Sequence, residues 1–153
     1  MKTGTKEFKI KRLTKKDVTT AQQLFPLLQQ VFEVENPAIA TNDYVTKLLK
    51  NIAFVCFAAI YNNEVVGGLT AYELPMYHPP CSELFIYDIG VKPEFQRMGL
   101  GKQLVAAVKE YGNEKDMKQL FVDASEADGH AVNFYRSMNG KEEKVVQFTF
   151  DTN

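Results

Sequence analysis

Cysteine is scarce in this chain. Cys56 and Cys81 are the only two among 153 residues. That excludes a disulfide framework and fits a reducing compartment. Net charge is nearly absent as well: 18 Lys and Arg stand against 19 Asp and Glu, a formal charge of -1. No bulk basic field exists to hold nucleic acid or an anionic membrane, although a local basic patch is compatible with the count. Long hydrophobic runs are missing too. The longest, Ile52 to Ile60, falls well short of the ~20 residues that a membrane span needs. Met1 to Arg12 alternates charged and apolar residues and lacks the apolar core of a signal peptide. The expected address is cytoplasmic, with no nucleic-acid and no membrane partner. What is present is an ordinary globular composition, 45% hydrophobic and 24% charged. It predicts one domain over residues 1–153, large enough to bury a core unaided.

Periodicity divides the chain into elements. Phe8, Ile10 and Leu13 give a strand-like start. Thr14 and Asp17 form a capping-box pattern that predicts a helix beginning there. Val18, Ala21, Leu24, Phe25, Leu28 and Val31 continue at helical spacing, with Pro26 inside, where it should bend or break the helix. After an acidic stretch from Glu33 to Ala40, Thr41 or Asn42 caps a short second helix. Ala53 to Tyr61 is almost continuously apolar, as in a strand covered on both faces. Asn62-Asn63 makes a tight turn into a returning strand, Glu64 to Leu74. A loop with Pro79 and Pro80 precedes a third strand, Glu83 to Val91, which Pro93 stops. A helix then runs to Gly112, followed by a strand at Leu120 to Ala124 and a helix at Asp128 to Met138. Val145 to Phe150 alternates as a last strand. The hairpins predict antiparallel pairing, and the β-α-β crossover after Val91 predicts one parallel pair. The fold class is α/β with a mixed, mostly antiparallel sheet and about four helices.

The segment with the most chemical content is Gln96-Arg97-Met98-Gly99-Leu100-Gly101-Lys102, between a strand and a helix. A helix start offers free N–H groups and a positive dipole end, both suited to phosphate. Glycines let backbone approach a ligand closely. Arg97 and Lys102 add positive charge. A P-loop is excluded, because Gln96 stands where its first Gly belongs and Gln103 where its hydroxyl belongs. The dinucleotide fingerprint is excluded too, because Leu104 occupies the third Gly position. The remaining pattern is Gln/Arg-x-x-Gly-x-Gly/Ala.

That pattern, with the surrounding element order, resembles the GNAT N-acetyltransferase family over essentially the whole chain. The resemblance implies a GNAT-like sheet and acetyl-CoA as cosubstrate. Its pyrophosphate would lie on Gln96, Arg97, Met98, Gly99, Leu100, Gly101 and Lys102. Its pantetheine arm would pair with backbone of Ile89, Gly90 and Val91. Ser82 to Val91, Val65 to Pro75, Glu142-Glu143 and the Phe148 segment resemble the aminoglycoside 3-N-acetyltransferases of that family. Ala131-Val132-Asn133-Phe134-Tyr135 resembles the family's Ala-x-x-Leu-Tyr segment. It implies Tyr135 as the acid that reprotonates the departing thiolate, a task suited to a neutral phenol. The sequence departs from the family just after it, with Asn139-Gly140-Lys141 where Gly-Phe is usual.

An ammonium must lose a proton before it attacks a thioester, and a carboxylate is a reasonable base. Glu83 and Asp88 lie on the strand that leads to the thioester. Asp88 interrupts Phe85-Ile86-Tyr87 and Ile89, and a carboxylate in an apolar strand needs a reason. Glu142 and Glu143 are candidate holders of the other ammonium groups of a polycationic acceptor, as are acids of both loops if they converge. His78 and His130 lack partners at metal spacing, so no metal is expected. The expected partner is a small-molecule amine, and the expected assembly a homodimer. Two alternatives stay open: acetylation of another amine (a polyamine, a small metabolite or a protein amino group), or a catalytically silent CoA-binding module.

Overall fold

A computed structural model describes residues 4–153. Its elements are β1 (Lys9–Arg12), α1 (Val18–Val31), α2 (Asn42–Lys50), β2 (Phe54–Tyr61), β3 (Glu64–Pro75), β4 (Ser82–Val91), α3 (Leu100–Glu114), β5 (Leu120–Val122) and α4 (Gly129–Ser137). A 3-10 turn, Pro93–Phe95, links β4 to α3. The residues up to Asp123 form one compact unit, and Ala124–Asn153 form a second. In the first, five strands lie in the order β1-β2-β3-β4-β5. The first three pairings are antiparallel and β4–β5 is parallel. This is the predicted mixed α/β sheet with four helices.

Strand β2 explains how the sheet is covered. Phe54, Cys56 and Ala58 join Leu24, Leu28, Val45 and Leu49 of α1 and α2 in one buried cluster. The intervening Phe57 turns the other way, where its ring meets Tyr111 of α3 at 6.4 Å. Both faces are therefore buried, which is why the strand reads as a continuous apolar run. The Asn62-Asn63 turn has φ of 48° and 63°, the left-handed pair that a two-residue hairpin requires. Two glycines bring α1 onto the sheet. A Cβ at Gly68 would sit 2.3 Å from the Leu24 Cδ1, and one at Gly90 would sit 3.0 Å from the Leu28 Cδ2.

Three expectations need correction. Pro26 does not break α1, which runs unbroken from Val18 to Val31. A mid-helix proline costs about 3 kcal/mol. Buried Leu24, Leu27 and Leu28 each contribute roughly 1.5–3 kcal/mol, so burial wins. The Thr14–Asp17 pair does not open the helix at Thr14. Asp17 instead accepts from the Thr14 N–H at 2.8 Å and from the Lys11 ammonium at 2.7 Å, and α1 starts after it. The Lys11 partner holds the Asp17 carboxyl below its ordinary range. The predicted last strand is absent. Residues 141–153 carry no regular structure, and Val145, Val146, Phe148 and Phe150 are 70–83% exposed. Alternation alone cannot make a strand when no neighbouring backbone supplies its hydrogen bonds.

Candidate active site

The site is built around a defect in the sheet. Thr70 pairs with Asp88, but Ala71 pairs with Ile86, so Tyr87 is an extra residue in β4. Such a bulge re-aims side chains and bends the strand. On its other side β4 pairs with β5 only at Leu84, Phe85 and Ile86. Beyond Ile86, among the described residues of this unit, that edge of β4 has no partner strand. The edge therefore runs from the bulge past Ile89, Gly90 and Val91 without a strand partner, and the carbonyl of Val91 is taken by a side chain of the loop that follows.

The loop that follows is held in place by its own side chains. The Gln96 amide donates to the Val91 carbonyl at 3.0 Å. Lys92 pairs with Glu64 of β3, and its N–H donates to the Val66 carbonyl at 2.8 Å. Arg97 and Gly99 both adopt left-handed backbone, with φ of 60° and 79°. Alternating turns of this kind make concave groups of N–H donors that fit anions. Gly99 is the N-cap of α3 and supplies no side-chain cap. The first helical bond runs from the Gln103 N–H to the Gly99 carbonyl. The N–H groups of Leu100, Gly101 and Lys102 thus precede the ladder and face outward with the helix dipole behind them. Leu100 is buried and fixes the helix start, while Arg97, Met98 and Lys102 are exposed. The predicted cradle residues come together in one strand-loop-helix turn.

A cavity of about 230 Å³ opens between the helices and the sheet. Phe25, Leu28, Gln29 and Phe32 of α1 and its end, and Leu48 of α2, form one wall. Phe54, Thr70, Tyr72, Tyr87 and Asp88 form the other. Gln29 also exchanges two 2.8 Å hydrogen bonds with the backbone of Ala38, tying the acidic loop to α1. Asp88 is the one carboxylate in the lining. It is half-buried, and desolvation raises its pKa, opposed by a side-chain hydrogen bond with Thr70. Glu83 does not line the cavity; its carboxylate accepts from the Gln119 amide at 2.8 Å. The acids of the loop, Glu33 and Glu35, are exposed and do not line it either. The aromatic walls were not anticipated from sequence, because their residues lie far apart in the chain.

In the second unit, the Asp128 side chain caps α4 by accepting from the Ala131 N–H at 3.1 Å. Burial, with the charge of Asp128, pushes the Tyr135 phenol up to about 12. The phenol therefore keeps its proton at neutral pH. Arg136 binds Glu142 through two hydrogen bonds of 2.9 and 2.6 Å, so that carboxylate is already engaged. Glu143 is exposed. In the first unit, burial pushes the Cys56 thiol up to about 12, which keeps it an unreactive core group. Among the described residues, no three His, Cys, Asp or Glu side chains gather as a metal site, and no helix is long and apolar enough to cross a membrane.

Comparison with known proteins follows the same lines. The model of the acetyltransferase (GNAT) family matches residues 21–140. An aminoglycoside acetyltransferase from an uncultured soil metagenomic sample, solved in complex with sisomicin, is 37% identical. It superimposes with a TM-score of 0.92 over 95% of this chain and 97% of that one. A second soil metagenomic aminoglycoside acetyltransferase is 28% identical, with a TM-score of 0.87 over 96% of this chain and 99% of that one. An aminoglycoside N-acetyltransferase in complex with CoA shares the fold at 20% identity, with a TM-score of 0.78 over 99% of both chains.

Proposed function

The chain belongs to the acetyltransferase (GNAT) family and is an acyl-CoA-dependent N-acetyltransferase, and from that premise we propose that it acetylates the 3-amino group of an aminoglycoside by direct attack. Acetyl-CoA supplies an activated acyl group as a thioester. The observation that carries the reading is the position of Asp88. It sits at the β4 bulge, with the aromatic cavity on one side and the open strand edge leading to the cradle beyond it. The 37% identical relative was solved with an aminoglycoside, sisomicin, which supports the acceptor class.

The residues fit the cosubstrate by chemistry. Outward N–H groups of Leu100, Gly101 and Lys102, with Arg97 beside them, suit a pyrophosphate. Ile89, Gly90 and Val91 offer strand-edge backbone to the amides of a pantetheine arm. Asp88 takes a proton from the acceptor ammonium and holds the amine for attack. Glu83, held by Gln119, supports the acceptor side as a further carboxylate on β4. Tyr135 donates the proton that the leaving sulfur requires. Glu142 and Glu143 serve as outer contacts for a polycation, Glu142 in exchange with Arg136.

Release of free thiol on adding aminoglycosides, with acetylation mapped by mass spectrometry, tests the reading. Turnover with acetate on the 3-amino group is the expected result. Failure of every class of amine to release thiol would replace the reading with a silent CoA-binding module.

Gly99→Val should weaken acetyl-CoA binding by about tenfold or more, worth about 1.4 kcal/mol. A Cβ at Gly99 meets nothing within 4 Å. The cost is conformational: a β-branched residue resists a φ of 79°, so the anion cradle opens. Calorimetry giving an unchanged Kd would remove the cradle assignment.

We read residues 1–153 as one N-acetyltransferase domain acting as a cytoplasmic homodimer. The exposed apolar side chains of Val145, Val146, Phe148 and Phe150 support the dimer, since a second copy could cover them. Deleting residues 144–153 should convert a dimer to a monomer in light scattering. A wild-type chain that is already monomeric would rule this assembly out. One cooperative unfolding transition should report both units together; two separated transitions would divide the domain.

A further inference from the structure

We propose that the acceptor cavity also takes ring-bearing monoamines of the cyclohexylmethylamine type, as a further acetyl-accepting activity. The proposal rests on the acetyltransferase reading above and extends it to a second substrate class.

The cavity walls carry the argument. Phe25, Phe54, Tyr72 and Tyr87 form a continuous chain of tilted and edge-on rings, with successive centroids 6.3, 5.5 and 5.7 Å apart. All four line the cavity. Rings packed in this way present apolar surface of fixed shape. Asp88 adjoins Tyr87 at the bulge and is the only acid in the lining. The cavity therefore offers one anionic point and one broad aromatic wall.

Size and charge then narrow the ligand. Drug-sized ligands fill cavities of roughly 300–1,000 Å³. About 230 Å³ takes one ring and a short arm. The cavity is open to solvent, so an aminoglycoside matches that volume with one sugar end while its other ammonium groups extend through the mouth. A linear diamine would leave a second ammonium inside or would forgo the walls. Inside, that charge would find no second carboxylate, which is costly. A monoamine on a single saturated ring matches both features. Its ammonium meets Asp88 and its C–H faces meet the rings.

The chemistry balances as for any acceptor. Asp88 removes one proton from the ammonium. The nitrogen lone pair forms the C–N bond to the acetyl carbon. The nitrogen loses a second proton as the C–S bond of the thioester breaks with its electron pair on sulfur; sulfur takes up one proton, and the proton on Asp88 passes to solvent. The products are an N-alkylacetamide and free CoA thiol.

The test uses the full chain, acetyl-CoA and thiol release with four acceptors: cyclohexylmethylamine, n-heptylamine, putrescine and sisomicin. The first two share carbon number and closely similar basicity, so they differ in shape alone. The ring amine should exceed n-heptylamine in kcat/KM on the order of tenfold, because a rigid ring loses less entropy on binding. Putrescine should be the poorest. Tyr87 is 63% exposed, so Tyr87→Ala should stay folded, as circular dichroism checks. It should erase the preference, and Tyr87→Phe should restore it. Turnover of sisomicin with no preference for the ring amine over n-heptylamine overturns this proposal and leaves the aminoglycoside reading intact. Turnover of the ring amine but not sisomicin does the reverse. Turnover of none of the four overturns both.

Discussion

Tyr135→Phe should lower kcat by a factor on the order of 10²–10⁴, the usual worth of a positioned proton donor. The substitution keeps the ring and removes only the hydroxyl. Tyr135 is half-buried, and its phenol is pushed up to about 12 by burial and by Asp128. At neutral pH it therefore keeps its proton and presents a protonated phenol to a departing thiolate. The sign of the pH effect follows. A tyrosine whose pKa is raised in the folded state stays neutral from acid pH to well above 9. No alkaline fall in rate below about pH 10 should belong to it. Acetyl-CoA affinity should hardly change, because the proposed contacts to it lie on Ile89–Val91 and Gln96–Lys102 instead. Pre-steady-state measurement of thiol release separates this step from product dissociation. A variant within twofold of wild type, with thiolate release shown to limit turnover, would reduce Tyr135 to a packing residue.

How much of this was legible in the sequence differs from element to element. The turn of Gln96 to Lys102 between β4 and α3 was legible because its requirements are local. Gly99 supplies a left-handed φ and Leu100 a buried anchor, and both needs are written within a few residues. Strand β2 was legible because a strand buried on both faces must be apolar throughout. The bulge was not. Tyr87 and Asp88 look like ordinary strand neighbours, and only pairing with Thr70 and Ala71 shows the extra residue. The aromatic cavity was hidden for a related reason: Phe25, Phe54, Tyr72 and Tyr87 are separated by tens of residues, and no short pattern joins them. Pro26 misled because propensity was read without the burial of Leu24, Leu27 and Leu28. The last strand misled in the opposite way, because Val145 to Phe150 has a strand's pattern but no partner strand among the described residues. Local rules succeeded where the backbone of a few neighbours decides, and failed where distant packing does.

Asp88→Asn is the sharper test, because it predicts two changes of opposite sign. It should reduce kcat/KM for an aminoglycoside by a factor on the order of 10² or more, through loss of both the base and a charge-assisted contact. Acetyl-CoA affinity should stay nearly intact. The proposed role requires Asp88 to be ionised, so kcat/KM should fall as pH drops through its folded pKa. That pKa lies above the ordinary carboxylate value because desolvation outweighs the bond with Thr70. The acid limb should vanish in the variant. Stability should move the other way. A carboxyl whose folded pKa is raised contributes fully below its unfolded pKa, and that contribution is lost as pH rises through the folded value. At neutral pH the wild-type fold therefore carries an ionised, half-buried Asp88 against its own stability. Asparagine removes that charge and keeps the shape, so Tm should rise slightly at pH 7 and the gain should shrink as the pH falls. Such a trade of stability for activity is what a residue kept for chemistry produces. A lower Tm with unchanged kcat/KM would assign Asp88 to the fold instead, as a strand residue held by Thr70.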